Sequence, residues 1–321
     1  MIVVDYGSSR ETQLMLEEFS DSLGDRGLFI TSERNIGLVA AINTGLARSD
    51  SDYTVIVRPY VTVQAGWLEA LVNTTETTGA GIVTPLFSGA DAPNLPKLAP
   101  GCTNVESCTV SFATLLLRTE MRLVAGVFDE YLDGNEWCLK EYVRRVADHG
   151  YRTRITGRTR LSCSAGQQFG SVQRRDVMTQ NSRSAYISRW GIDRHYGVYF
   201  GMEADAGTLG DIVGAILDGA RQGHRFTLML HRRQHADFRK MGWNCLHTGI
   251  ELQRISFLFP LRDLQRKVAA LRSTSPDIIL VRGCSGITFP DVETAISQED
   301  LLGSIRARTT GIVEHPQEAL P

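Results

Sequence analysis

The sequence lacks an excess of charge of either sign. Its 34 Lys and Arg face 36 Asp and Glu, for a net charge of −2. Taken over the whole chain, that balance gives no electrostatic footprint for nucleic acid or an anionic membrane. Long apolar runs are also missing: none approaches the ~18 residues of a membrane span. Met1–Asp5 carries no basic stretch of the kind that opens a secretory signal, so a cytoplasmic protein is expected. The 10 prolines and 30 glycines are too few for a low-complexity or collagen-like chain. The six cysteines form no C-x-x-C pair, which argues against a structural zinc site. In a chain able to build its own core they are expected to be reduced and mostly buried. His231 and His235 stand four apart, but no carboxylate beside them completes a metal pattern. What remains is ordinary globular composition, 42% hydrophobic and 22% charged, and 321 residues fit one large domain or two smaller ones.

The first half alternates short β-branched runs with amphipathic helical windows, the signature of βα units and a mostly parallel sheet. Strands are predicted at Met1–Asp5, Leu28–Thr31, Tyr53–Arg58, Gly81–Phe87, Val110–Arg118 and Tyr151–Ile155. Helices are predicted between them, at Glu11–Leu23, Ile36–Ala47, Gln64–Thr78 and Glu136–His149. Ser88–Asn104 has no periodicity and reads as a long loop, a common place for binding residues. Beyond Trp190-Gly191 a second α/β unit is expected. Its strands are predicted at Phe226–Leu230, Ile255–Phe259 and Asp277–Arg282, with helices at Thr208–Gln222, Leu261–Leu271 and Asp291–Arg306.

Two segments carry candidate chemistry. The turn Val3-Val4-Asp5-Tyr6-Gly7-Ser8-Ser9 places a carboxylate at the carboxyl end of the first strand, where open α/β sheets bind ligands. Its glycine allows close backbone approach, and its serines can cap the next helix. Arg34-Asn35-Ile36-Gly37, followed by Asn43 and Gly45, sets an arginine at a helix N-terminus, where anions are favoured. On residues alone, a capped turn and a solvated arginine explain both segments equally well.

Together they resemble the family 2 inverting glycosyltransferases of the GT-A fold, which carry V-D-x-G-S followed by R-N-x-G-x-x-x-x-x-N-x-G. The resemblance continues through Thr62–Leu68, Ser111–Arg118, Gly126-Val127-Phe128-Asp129-Glu130 and Asn181–Gly191, and so covers roughly residues 1–195. It implies an α/β, GT-A-like (Rossmann-like) nucleotide-sugar-binding domain over 1–195. The smaller α/β domain over 196–321 is left without a role. It further implies nucleotide contacts by Asp5, Tyr6, Gly7, Arg34, Asn35, Gly37 and Arg58, with Asp129 and Glu130 on the acceptor side.

Three departures from the family pattern matter. Arg58-Pro59-Tyr60 stands where the family's metal-binding carboxylates belong, and Ser162-Cys163-Ser164 lacks the late histidine that often completes that site. A hard divalent cation needs oxygen ligands, so the metal site reads as lost, no cofactor is expected, and Arg58 is a candidate to neutralise diphosphate. Gly134 falls where the catalytic base is usual, leaving Asp133 and Glu136 within one turn as candidates; they equally make a helix capping box. The chain also starts at the family's second strand. Asp277–Arg282 is then either a replacement for the missing strand, in cis or from a second chain, or part of the smaller domain's own sheet.

The expected activity is transfer of a sugar from a UDP-, dTDP- or GDP-linked donor, with inversion, to a hydroxyl of a glycan or other acceptor. A metal-independent enzyme and a catalytically inactive binding or scaffold relative both fit these features. A homodimer is compatible with either, and neither needs nucleic acid. A dinucleotide-dependent oxidoreductase is disfavoured, because no G-x-G-x-x-G follows a strand.

Overall fold

In a computed structural model, residues 1–132, 137–165, 172–284, 286–287, 289 and 294–310 are described. The chain divides into two compact units, Met1–Ile192 and Asp193–Pro321. The division falls just before a strand at His195, which keeps that strand whole.

Unit 1 opens with β1 (Ile2–Tyr6), α1 (Arg10–Ser22), β2 (Leu28–Ser32) and α2 (Leu38–Leu46). β3 (Tyr53–Val57), β4 (Val61–Thr62), α3 (Trp67–Thr78), β5 (Ile82–Gly89) and β6 (Asn104–Glu106) follow. β7 (Thr114–Arg118), α4 (Thr119–Ala125), α5 (Trp137–Asp148), β8 (Thr153–Cys163) and α6 (Val172–Trp190) complete it. The Ser9 hydroxyl accepts from the Thr12 N–H at 3.3 Å and so caps α1, as the turn's serines suggested. β1 pairs in parallel with β2 alone, as a separate two-stranded sheet. The larger sheet runs β3-β7-β5-β8-β4, with β6 also on β8, and only its β5–β8 pairing is parallel. Val39 and Leu46 of α2 pack with Ile82, Leu115, Leu117 and Phe128 in the main core of this unit.

Unit 2 contains β9 (His195–Tyr199), α7 (Ala206–Arg221), β10 (Arg225–Leu230), α8 (Arg232–Lys240) and β11 (Ile250–Arg254). It continues through α9 (Pro260–Thr274), β12 (Ile279–Arg282) and α10 (Gln298–Thr310). Its sheet, β11-β10-β9-β12, is parallel throughout, with cores on both faces around Val198, Phe226 and Leu228 and around Met229 and Leu264. The α/β class expected from the sequence holds, but the mostly parallel sheet expected for the first half does not: among the described residues two of the six pairings of unit 1 are parallel, β1–β2 and β5–β8, against all three of unit 2.

Several expectations are corrected. Ile279 pairs with Tyr196 of β9, so β12 belongs to the second sheet and fills no gap beside β1. The third strand of that sheet is Ile250–Arg254 rather than Ile255–Phe259, because the polar-interrupted stretch pairs with β10 while the apolar run after it turns outward. β8 runs on to Cys163, past the predicted end at Ile155. Cys108, Cys138, Cys163 and Cys284 carry no disulfide, and of these Cys138 and Cys163 are buried.

Candidate functional site

The site is built where β1 and β3 end. Gly7, at φ +84°, turns the chain out of β1, and its N–H donates to the Ser32 carbonyl at 3.1 Å. A Cβ on Gly7 would lie 3.0 Å from the Asn35 nitrogen and 3.3 Å from the Asn35 Cα. The two sequence segments singled out above therefore touch, and only glycine permits both the turn and the approach. Asp5, just before this turn, is 5% exposed. Its carboxylate has no hydrogen-bond or ion-pair partner among the described residues, and its oxygens are not closed off from solvent. Arg34 is exposed, and Ser32 braces its backbone, the Ser32 hydroxyl donating to the Arg34 carbonyl at 2.9 Å. The Asn35 carboxamide accepts from the Gly37 N–H at 3.0 Å, closing the turn that starts α2. Asn35 and Gly37 thus shape the loop that carries Arg34.

Arg58 joins the two strand ends. Its guanidinium donates to the Tyr6 hydroxyl at 3.1 Å. Burial raises the Tyr60 phenol above its ordinary value, while the charge of Arg58 and a hydrogen bond from it pull the other way. Tyr60 and Ser164 are neighbours, the Ser164 N–H donating to the Tyr60 carbonyl at 3.0 Å, and Val61 pairs with Cys163. The two positions where sequence comparison looks for metal ligands are therefore adjacent in space. Asp91, in the long loop after β5, lies close enough that its charge helps raise both Tyr60 and the Cys163 thiol, behind the larger effect of burial. Nothing in the sequence singled out Asp91; only the return of its loop over β8 brings it here.

The acceptor-side candidates are heavily engaged. Asn43, 8% exposed, donates from Nδ2 to the Phe128 carbonyl and to Glu130 Oε1, both at 2.9 Å. Its Oδ1 accepts from the Phe128 N–H at 3.1 Å. Asn43 is thus a clamp between α2 and the segment 126–130, a role its place in the sequence motif signalled without revealing. Asp129 pairs with Arg189 at 3.1 Å and accepts from the Tyr131 N–H at 3.0 Å. Arg189 also bonds the buried Glu141 at 3.0 Å, which ties α6 to α5. Asp133 and Glu136, the candidate bases, lie outside the described residues.

Comparison with known proteins adds to this geometry. Residues 1–98 match the sequence profile described as Glycosyl transferase family 2, which takes in the Asp5, Arg34 and Arg58 segments. No curated protein matches by sequence. Among solved structures, GalNAc-T7 with UDP, GalNAc and Mn2+ is 13% identical at a TM-score of 0.48. That similarity covers 59% of this chain and 42% of that one. The chain therefore spans less than half the length of GalNAc-T7. The mannosyltransferase PcManGT from Pyrobaculum calidifontis, in complex with GDP-Man and Mn2+, is 15% identical at a TM-score of 0.47. It covers 86% of this chain and 71% of that one. S. aureus TarS 1-349 in complex with UDP is 12% identical at 0.43, covering 68% and 70%.

Two of these structures hold Mn2+, which overturns the expectation that no cofactor is involved. Among the described residues no group of three or more His, Cys, Asp or Glu is placed to hold an ion, so no metal-dependent step is assigned to any of them. No helix of the described residues is long and apolar enough to cross a membrane. The profile match over residues 1–98 and the α/β architecture agree with a GT-A-like organisation of unit 1.

Proposed function

We propose that unit 1 binds a UDP-, dTDP- or GDP-linked sugar at the carboxyl ends of β1 and β3 and passes the sugar, with inversion, to an acceptor hydroxyl. The observation that carries this reading is the contact of the Gly7 turn with Arg34–Asn35. It sets an unpartnered, buried Asp5 and an exposed Arg34 on one edge inside the segment that matches the family profile. In this reading Asp5 accepts from donor groups of the nucleoside, and Arg34 pairs with phosphate at the start of α2. Arg58, held by Tyr6 and Tyr60, supplies fixed positive charge beside them. Inversion needs a carboxylate to take the acceptor proton as its oxygen attacks the anomeric carbon, the part assigned to Asp133 or Glu136.

Titration calorimetry against the three nucleotide-sugar classes, with Mn2+ present, tests the binding step. Asp5→Ala and Arg34→Ala should each weaken binding by about 1.5–3 kcal/mol, the range for a charge-assisted hydrogen bond, with folding unchanged. Unchanged affinity for every nucleotide would remove both residues from the site.

A second reading, a nucleotide-sugar-binding scaffold that transfers nothing, draws on Asp129 and Glu130, both committed to structural partners. Product formation over a panel of hydroxyl acceptors separates the two readings, because the scaffold binds donor and forms none.

A further inference from the structure

At the carboxyl ends of β10 and β11, within unit 2, lies a cavity of about 450 Å³. Arg232, Arg254, Arg266 and Lys267 line it, with Asp263 as its one carboxylate. Asp263 pairs with Arg266 at 2.7 Å and lies 3.7 Å from Lys267, so a single anion faces four cations. Ser256 borders the same space.

The rim is apolar and points outward. Phe257 is 81% exposed, Leu258 76%, Phe259 64% and Leu261 62%. Four large apolar side chains in five residues is unusual on a soluble surface, where such groups are ordinarily scattered. Nor is this run a loose loop. Buried Ile255 anchors it, donating its N–H to the Leu230 carbonyl at 2.7 Å. The Ser256 N–H donates to Asp263 Oδ2 at 2.9 Å, and the Asp263 N–H donates to the Phe259 carbonyl at 3.0 Å. These bonds fix both ends of the run while its side chains are held out. Arg262 stands 5.9 Å from the Phe259 ring, a cation beside the aromatic prong.

An apolar prong bordering a cationic basin matches the layering of a bilayer surface, where anionic phosphates lie just above hydrocarbon. We propose that this face of unit 2 docks on an anionic phospholipid bilayer. A lipid phosphate occupies the basin of Arg232, Arg254, Arg266 and Lys267, and Phe257, Leu258 and Phe259 enter the interfacial layer. This is attachment to a surface and involves no span. It does not depend on the reading of unit 1.

The test is co-sedimentation of the full chain with vesicles. One set is phosphatidylcholine; the other is phosphatidylcholine mixed with phosphatidylglycerol. The chain should pellet with the mixed vesicles, barely with phosphatidylcholine alone, and less as salt is raised. F257S/F259S should cut partitioning by about tenfold or more through lost apolar burial. R254Q/K267Q should cut it by about five-fold per charge removed. Phe257, Phe259 and Arg254 are exposed and Lys267 is half-buried, and a thermal melt checks that the variants remain folded. Equal pelleting with both vesicle types, none with either, or partitioning unmoved by both variants overturns the proposal. So does saturable binding of inorganic phosphate or glycerol 3-phosphate without vesicle binding, which marks a site for soluble anions. Self-association of the chain, abolished by F257S/F259S and indifferent to lipid, overturns it as well.

Discussion

The two sheets solve the same problem with different completeness. In unit 2 the central strands β9 and β10 each have a partner on both sides, and nearly every residue from Tyr196 to Tyr199 and from Phe226 to Leu230 is buried. Among the described residues of unit 1, β1 pairs only with β2 and β3 only with β7. β1 and β3 are as rich in β-branched residues as any strand of unit 2, yet nearly all of their residues are only half-buried. β5 and β7, flanked on both sides, are almost fully buried. A strand's composition therefore states how much burial it can use, and its neighbours decide how much it receives. Amide exchange should follow the same order, with β10 far better protected than β1 or β3.

The comparison can be broken most forcefully at Phe226. It is buried in β10 and stacked on Tyr196 at 5.3 Å between ring centroids, so Phe226→Ala should destabilise unit 2 by about 3–5 kcal/mol. The urea midpoint reported by β10 amide exchange measures it, and a loss under about 1 kcal/mol would mean the continuous sheet is less tightly packed than its burial indicates. In unit 1 the corresponding weak point is polar. Asn43→Ala leaves the Phe128 N–H and carbonyl and the Glu130 carboxylate without their partner. A loss of about 2–4 kcal/mol is expected, read from exchange in α2 and the segment 126–130. If Asn43→Asp is nearly as stable as the parent, the carboxamide donor matters less than argued.

Acid should distinguish the units next. Burial depresses His195, with help from the Arg225 charge, and depresses His231, which is hydrogen-bonded to the Tyr199 hydroxyl at 3.1 Å. A histidine kept neutral by the fold and free to protonate when unfolded favours the unfolded chain as pH drops below its ordinary value near 6.5. Unit 2 should keep this stability above about pH 6.5 and lose it progressively below. Urea midpoints of β10 exchange at about pH 7.5 and about pH 5.5 show the sign, and a higher midpoint at the lower pH would contradict it. The smallest effect is expected at the α1 cap, where Ser9→Ala should cost about 1 kcal/mol, felt in the exposed first turn. Gly is the informative control there, since it should cost only a few tenths of a kcal/mol.

Much of this was legible in the sequence. The alternation of strands and helices through α3, the Asp5–Gly7 turn and the Arg34–Gly37 loop were all readable, because each rests on local spacing. What failed rests on distance or on a competing signal. Ile250–Arg254 carries polar residues among its apolar ones and lost out to the more apolar Ile255–Phe259, which the fold leaves largely exposed. The later half of β8, with Arg158 and Arg160 around Thr159, reads as a polar connection until β4 and β5 are seen against it. The partners of Asn43 are some 85 residues away, so its motif position gave importance without a role. The basic basin of unit 2 was invisible for a related reason: a net charge of −2 averages over the chain and hides four cations gathered from three separate segments.

β8 has a consequence for how the chain is made. Among the described residues β4 and β6 have β8 as their sole strand partner, and β5 takes β8 along its whole length, up to the pair Gly89 and Cys163. That last pair is tight: a Cβ on Gly89 would come within 2.1 Å of the Cys163 carbonyl oxygen. On a ribosome, β4 and β6 must wait for residues 153–163 to emerge before their ladders can form, and β5 must wait for its second ladder. Such late, non-local closure is slow and leaves strand edges exposed while it is pending. A nascent chain stalled before residue 153 should be protease-sensitive across β4 to β6, and one released past α6 should not. Unit 1 is therefore sealed from its C-terminal side, by the strand that is synthesised last among those it joins.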